Sequence, residues 1–130
     1  MKYAVLINGA PLDSQAARSA FYFCQSLLAQ GHELSRVFFY GPAIHTGNRF
    51  RVSAQDESNL THDWQQFAKD THTELVLCIA AAQRRGVISD SEAARHGLEG
   101  DSMAEGFVLG GLGLLAEASI LADRVVTFNG

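Results

Sequence analysis

Glu74-Leu75-Val76-Leu77-Cys78-Ile79-Ala80-Ala81-Ala82-Gln83-Arg84-Arg85-Gly86-Val87 places a cysteine where a buried strand gives way to a short helix. Leu75 to Ile79 is an unbroken apolar run of strand length, the pattern of a strand buried on both faces of a sheet. Ala80 to Arg85 is alanine-rich, and Gly86 is positioned to end it, so helix follows strand at once. In open α/β sheets, ligands and reactive groups gather at this carboxyl edge of the strands. A thiol at Cys78 would lie near the first N–H groups of the helix and near the guanidinium groups of Arg84 and Arg85. Both favour thiolate over thiol, which makes Cys78 a candidate nucleophile. The same spacing suits a small buried hydrophobe equally well, because free cysteine is among the most buried residue types.

Outward from this stretch, the chain alternates strands with helices. Tyr3 to Ile7 reads as a first buried strand, closed by Asn8-Gly9-Ala10-Pro11. Ser14 caps a helix running to Gln30, in which Ala17, Ala20, Phe21, Cys24, Leu27 and Leu28 recur at three- and four-residue spacings and form one apolar face. Cys24 lies within that face, so it reads as a core residue rather than a second redox cysteine. Gly31 suits the helix end. Leu34 to Tyr40 is β-branched and aromatic, a second strand that Gly41 and Pro42 stop. From Ala43 to Ser58 no period emerges. That stretch reads as a long solvated loop, with a partner-docking segment around Asn48-Arg49-Phe50-Arg51 as the alternative. Leu60 to Lys69 is a helix with Leu60, Trp64, Phe67 and Ala68 on one side. After Val87, Ser89 and Glu92 fit a capping box for a short helix ending near Gly97. Phe107 to Leu109, Leu112 to Ala122 and Arg124 to Phe128 complete the pattern as strand, helix and strand. Such alternation predicts βαβ units with right-handed crossovers. The expected fold is α/β: one three-layer α/β/α domain over residues 1–130, its mostly parallel sheet of about five strands covered on both faces.

Composition narrows the function classes. With 130 residues and 47% hydrophobic content, the chain can bury one sizeable core but not two. Charged residues make up 18%, below the usual quarter, which suggests that other subunits cover part of the surface. A net charge of -4 gives no electrostatic footprint for nucleic acid, so direct nucleic-acid binding is not expected. No apolar run reaches membrane length, and the first residues lack the regions of a signal peptide, so a cytoplasmic protein with reduced cysteines is expected.

Four constellations fail on their context. Gly111-Leu112-Gly113-Leu114-Leu115-Ala116 matches the dinucleotide fingerprint in its letters, but it stands at the last strand–helix turn. No carboxylate side chain follows Asp123, so its glycines are better read as permitting close helix–sheet packing. His32, His45, His62, His72 and His96 show no helical metal spacing, and no metal or organic cofactor is expected. A Cys–His hydrolase would need one histidine marked out, and none is. A lone cysteine in this segment also argues against a self-contained dithiol oxidoreductase.

The segment Cys78 to Val87 resembles the active-site segment of the DsrE/TusD family of the sulfur-relay system. Ser19-Ala20-Phe21, Gly31-His32-Glu33-Leu34 and Val37-Phe38-Phe39-Tyr40 agree in the same order. So does the tail from Gly106 through Gly111-Leu112-Gly113 and Ala116-Glu117-Ala118 to Asp123-Arg124-Val125-Val126, which carries the likeness along nearly the whole chain. The resemblance implies a DsrE-like fold and a sulfurtransferase that carries persulfide sulfur on Cys78, with Arg84 and Arg85 stabilising the anionic sulfur or docking a partner. It also implies a hetero-oligomer with TusB-like and TusC-like subunits, a TusA-like sulfur donor, a TusE-like acceptor, and a place on the route to 2-thiouridine at the tRNA wobble position. A non-catalytic DsrE-like assembly subunit is the alternative.

Overall fold

The computed structural model describes residues 1–130. In chain order the elements are β1 (Lys2–Ile7), α1 (Gln15–Ala29), β2 (Glu33–Phe39), a 3-10 helix (Gly41–Gly47), α2 (Leu60–Thr71) and β3 (Glu74–Cys78). Then come α3 (Ile79–Arg84), α4 (Asp90–Arg95), β4 (Phe107–Gly110), α5 (Leu112–Leu121) and β5 (Arg124–Phe128). The strands form one sheet in the order β4-β3-β2-β1-β5, and every pairing is parallel. The expected α/β architecture is therefore present, and its sheet is parallel throughout.

Hand and order together explain how the helices divide between the faces. From β1 the chain steps outward strand by strand to β4, and right-handed crossovers place the connections of such a run on one face. The return from β4 to β5 crosses the sheet in the opposite sense, and its helix therefore falls on the other face. The two apolar clusters follow this division. The larger joins α1 (Ala17, Ala20, Phe21, Cys24, Leu27) and α2 (Leu60, Trp64, Phe67) to Val5, Val37, Phe39, Leu75, Leu77 and Phe107 of the sheet. At its centre the fully buried Trp64 meets Phe21, Phe39 and Phe67 edge-on, with ring centroids 4.9, 5.5 and 5.4 Å away, the arrangement aromatic quadrupoles prefer. The smaller cluster is Ala4, Phe38, Val76 and Ala118, with Leu6, Leu114 and Leu115 packed against it.

The second face is only partly covered. A single helix running back along the strands is about 10–12 Å across, while five strands span about 19 Å between the outer two. As a result α5 rests on the middle of the sheet and leaves Val108 of β4 and Val125 of β5 exposed by 43% and 45%. Arg36 of β2 anchors the helix, reaching Glu117 of α5 at 3.2 Å and Glu74 of β3 at 2.9 Å.

Helix ends follow the expected signals. Ser14 caps α1 by accepting from the Ala16 N–H, Asn59 caps α2, and the Ser89 hydroxyl accepts from the Glu92 N–H. The Glu92 carboxylate does not complete a capping box. It turns instead to Gln83 and Arg95, both at 2.8 Å.

Two expectations need correction. Residues 43–58 are not one solvated loop. Ala43, Ile44, Thr46 and Gly47 are buried in the 3-10 helix, where a Cβ on Gly47 would come within 2.5 Å of Leu77 Cδ1. Only the part from Arg49 onward is largely at the surface. Nor do Gly111 and Gly113 serve helix–sheet packing, because a Cβ on either would meet nothing within 4 Å. The close approach is at Gly110, where a Cβ would lie 2.6 Å from Leu114 Cδ1 and 2.7 Å from Val76 Cγ1. Gly110→Ala is expected to destabilise the protein by about 1–3 kcal/mol through overpacking, whereas Gly113→Ala, with open space around it, should not destabilise it. Thermal melting of the two variants checks the contrast. Equal melting temperatures would mean that Gly110 does not set the helix–sheet distance.

Candidate active site

Cys78 is the last residue of β3 and also the N-cap of α3, with φ −62° and ψ 120°. It is half-buried, and its register partner on β4 is Gly110. On the other side, Leu77 pairs with Phe39, so Tyr40 is the next residue on the neighbouring strand. Where the strands end, Cys78 shares a small recess with Leu6, Phe38, Tyr40, Leu112 and Leu115, and Gly110 and Gly111 complete its wall. Its volume is about 10 Å³. The sheet supplies one side and the first turns of α5 the other, so the recess exists because α5 begins one residue after β4 ends.

The turn that follows α3 is firmly held. Gly86, at φ +72°, ends the helix in the left-handed conformation that favours glycine. Ser102 pins this turn, its hydroxyl donating to the Gly86 carbonyl and accepting from the Ile88 N–H at 3.0 Å. The Arg49 N–H in turn donates to the Ser102 carbonyl at 2.8 Å, and Arg49 Nε reaches Asp101 Oδ1 at 2.7 Å. The basic stretch Asn48-Arg49-Phe50-Arg51 is thus partly structural. Arg51 is half-buried and donates to Thr61 Oγ1 at 2.8 Å, and burial, with the charge of Arg18 added, holds its guanidinium below the usual arginine range.

The arginines expected near the thiol lie at the far end of α3. Arg84 is six residues beyond the N-cap, about 9 Å along a helix axis, and is exposed. Arg85 is the C-cap, and its Nη1 donates to the Ala81 carbonyl at 3.2 Å. Neither residue lines the recess, and no histidine does. The largest cleft, about 640 Å³, lies elsewhere. It is lined by α2 residues such as His62 and Lys69 together with Thr73 and Gly106, which precede β3 and β4 at the opposite edge of the sheet. It contains no cysteine or serine, so the half-buried thiol of Cys78 marks the better candidate site.

Sequence reasoning did not single out Tyr40 or Leu112 as neighbours of Cys78. The available signal was positional, since each stands where a strand ends or the next helix begins at the carboxyl edge of a parallel sheet.

Residues 1–128 match the model of the DsrE/DsrF-like family. The chain belongs to that family. Among its DsrE/DsrF-like relatives, a protein of Vibrio parahaemolyticus named "Sulfurtransferase TusD homolog" is 48% identical over 128 residues, 98% of each chain. One of the same name from Vibrio vulnificus is also 48% identical over 98% of each chain. Among solved structures, the ychN protein of E. coli superposes with a TM-score of 0.78 at 22% identity, covering 98% of this chain and 99% of its own. A protein of unknown function from Methanobacterium thermoautotrophicum superposes with a TM-score of 0.63 at 13% identity, over 96% of this chain and 97% of its own. At these identities the two structures speak for the fold, which is the DsrE-like α/β fold expected from the sequence.

The two cysteines occupy contrasting sites. Cys24 is fully buried, and burial pushes its thiol from the ordinary 9.0 up to about 12. Below about pH 9 both folded and unfolded chains keep this proton. Between about 9 and about 12 only the folded chain does, so stability falls as pH rises through that window, by up to about 1.4 kcal/mol per pH unit. Cys24→Ala should cost about 1 kcal/mol at neutral pH through a small cavity and should remove this alkaline slope. Denaturant melts across that pH range measure both effects, and an unchanged slope in Cys24→Ala would contradict the assignment.

Proposed function

We propose that the protein is a sulfur-relay sulfurtransferase that carries persulfide sulfur on Cys78. The Cys78 thiolate attacks the outer sulfur of a donor persulfide, the donor's S–S bond breaks, and the donor thiolate leaves with its electron pair. The cysteine of an acceptor protein then attacks the same outer sulfur and releases the Cys78 thiolate. No net oxidation or reduction occurs, and neither step requires a metal or organic cofactor. The observation that carries this reading is a half-buried thiol at the carboxyl edge of β3 in a chain whose relatives are named sulfurtransferases. The chain's resemblance to TusD-type subunits extends the proposal to a TusA-like donor, a TusE-like acceptor and a cytoplasmic pathway to wobble 2-thiouridine in tRNA. A later enzyme would act on the RNA itself. No helix is long and apolar enough to cross a membrane, in keeping with that location.

Arg84 and Arg85 fit docking of a relay partner better than contact with the sulfur, given their place at the far end of α3. The proposed TusB-like and TusC-like subunits have a surface available to them. Ile120, Leu121 and Leu112 of α5 are 82%, 64% and 60% exposed, and Val125 and Val108 on the two outer strands are 45% and 43% exposed, apolar exposure of the kind that association surfaces use. A non-catalytic assembly subunit would use the same surface, so only the thiol separates the two readings.

Cys78→Ser should fold like the wild type, gain no sulfur from a persulfide donor by intact mass, and fail to support tRNA thiolation. Normal thiolation in cells carrying only Cys78→Ser would favour the assembly role instead. Replacing Ile120 and Leu121 with Asp should abolish co-purification with co-expressed TusB-like and TusC-like subunits, while stability changes by no more than about 0.5 kcal/mol per exposed site. Undiminished complex formation on a sizing column would place the interface elsewhere.

A further inference from the structure

The recess beside Cys78 has room for one atom. Its volume of about 10 Å³ is roughly that of a single water-sized sphere. Apolar side chains line it, and such a cavity does not hold water well because water there would find few partners. Loading a cysteine with sulfane sulfur extends the side chain by one soft, polarisable atom, which is the occupant these dimensions suit.

We propose that this recess seats the outer sulfur of the Cys78 persulfide and that Tyr40 is a catalytic residue whose hydroxyl donates a hydrogen bond to that sulfur, an inference resting on the sulfur-relay reading of Cys78. Among the lining residues, Tyr40 is the only one besides Cys78 whose side chain carries a polar hydrogen. It is 40% exposed, and its hydroxyl has no hydrogen-bond partner within the chain. Its backbone, by contrast, is fixed, the N–H donating to the Ile7 carbonyl at 3.0 Å. Because Leu77 pairs with Phe39, Tyr40 and Cys78 continue adjacent strands side by side. The cations that could otherwise serve are elsewhere, with Arg85 turned to the Ala81 carbonyl and Arg84 outside the recess.

The chemistry needs such a donor. An anionic outer sulfur in an apolar recess is costly without a hydrogen bond, and its charge repels an incoming thiolate. The phenol O–H draws off that charge, so the acceptor thiolate can bond to the outer sulfur. The bond between that sulfur and Cys78 Sγ breaks, and Cys78 keeps the electron pair as thiolate. The step balances as Cys78–S–S⁻ plus acceptor thiolate giving Cys78 thiolate plus acceptor–S–S⁻, with no proton gained or lost and no net oxidation or reduction.

The test compares the full-length wild type, Tyr40→Phe and Cys78→Ser. Each is treated with inorganic polysulfide, its sulfur load is counted by intact mass, and transfer to a small-molecule thiol is followed across a range of pH. Tyr40→Phe keeps the ring and its packing, so melting temperature and iodoacetamide alkylation of unloaded Cys78 should match the wild type. Transfer of the loaded sulfur should slow by about tenfold or more, the scale of losing a hydrogen bond to a charged group, and its pH profile should shift. A Tyr40→Phe protein that loads and transfers like the wild type at every pH overturns the inference while leaving the relay reading intact. A wild type that takes up no more sulfur than Cys78→Ser overturns both.

Discussion

The hand of the crossover connections governs this molecule. Once β1 to β4 are laid down in one direction, three connections crowd one face, and the last strand can be added at the far edge only by a helix on the other face. A single ten-residue helix is therefore left to cover a five-stranded sheet. That one shortfall explains why Gly110 must be glycine-sized, why Arg36 is recruited to tie Glu117 to the strands, and why Val108 and Val125 remain open to solvent. It also explains the site. The helix must start immediately after β4, so its first turns meet the end of β3 and wall in Cys78.

A thiol in this position meets two opposing demands. On the proposed relay reading, it must be shielded enough to keep a reactive sulfur from small nucleophiles and exposed enough to meet two protein partners in turn. Half-burial at the strand end, with a recess on one side and solvent on the other, satisfies both. The fully buried Cys24 shows what the fold does with a cysteine that has no such task. It packs in the apolar face of α1, where loss of its proton is suppressed until about pH 12.

Elements whose pattern arises from burial on one or both faces were legible in the sequence. The five strands and the long helices fall where the apolar runs and the 3.6-residue period place them, to within about two residues. The 3-10 helix at Gly41–Gly47 was not legible, because seven residues are too few to show a period and its Gly and Pro read as loop. The facing of α5 was hidden for the opposite reason, since Leu112 to Leu121 is apolar nearly all round and offers no polar side from which to infer orientation. Cys78 was legible from its place at a strand end. Its neighbours were less so, because adjacency along the chain misled. Arg84 and Arg85 are close in sequence but a helix length away, whereas Tyr40 and Leu112 are tens of residues distant and line the same recess.

The uniform apolarity of α5 finds its reason when its two ends are considered together. Leu112 and Leu115, near its start, wall the Cys78 recess, and Ile120 and Leu121, at its end, stand exposed. A helix of this length is rigid, so on the proposed reading a subunit that covers the exposed end bears directly on the element that closes the sulfur seat. Assembly and sulfur chemistry then act through the same ten residues. In a free monomer, a helix with this composition would only add apolar surface exposed to water. On that reading, a partner turns the exposed side chains at the helix end into interface core and holds in place the wall that Leu112 and Leu115 build beside Cys78.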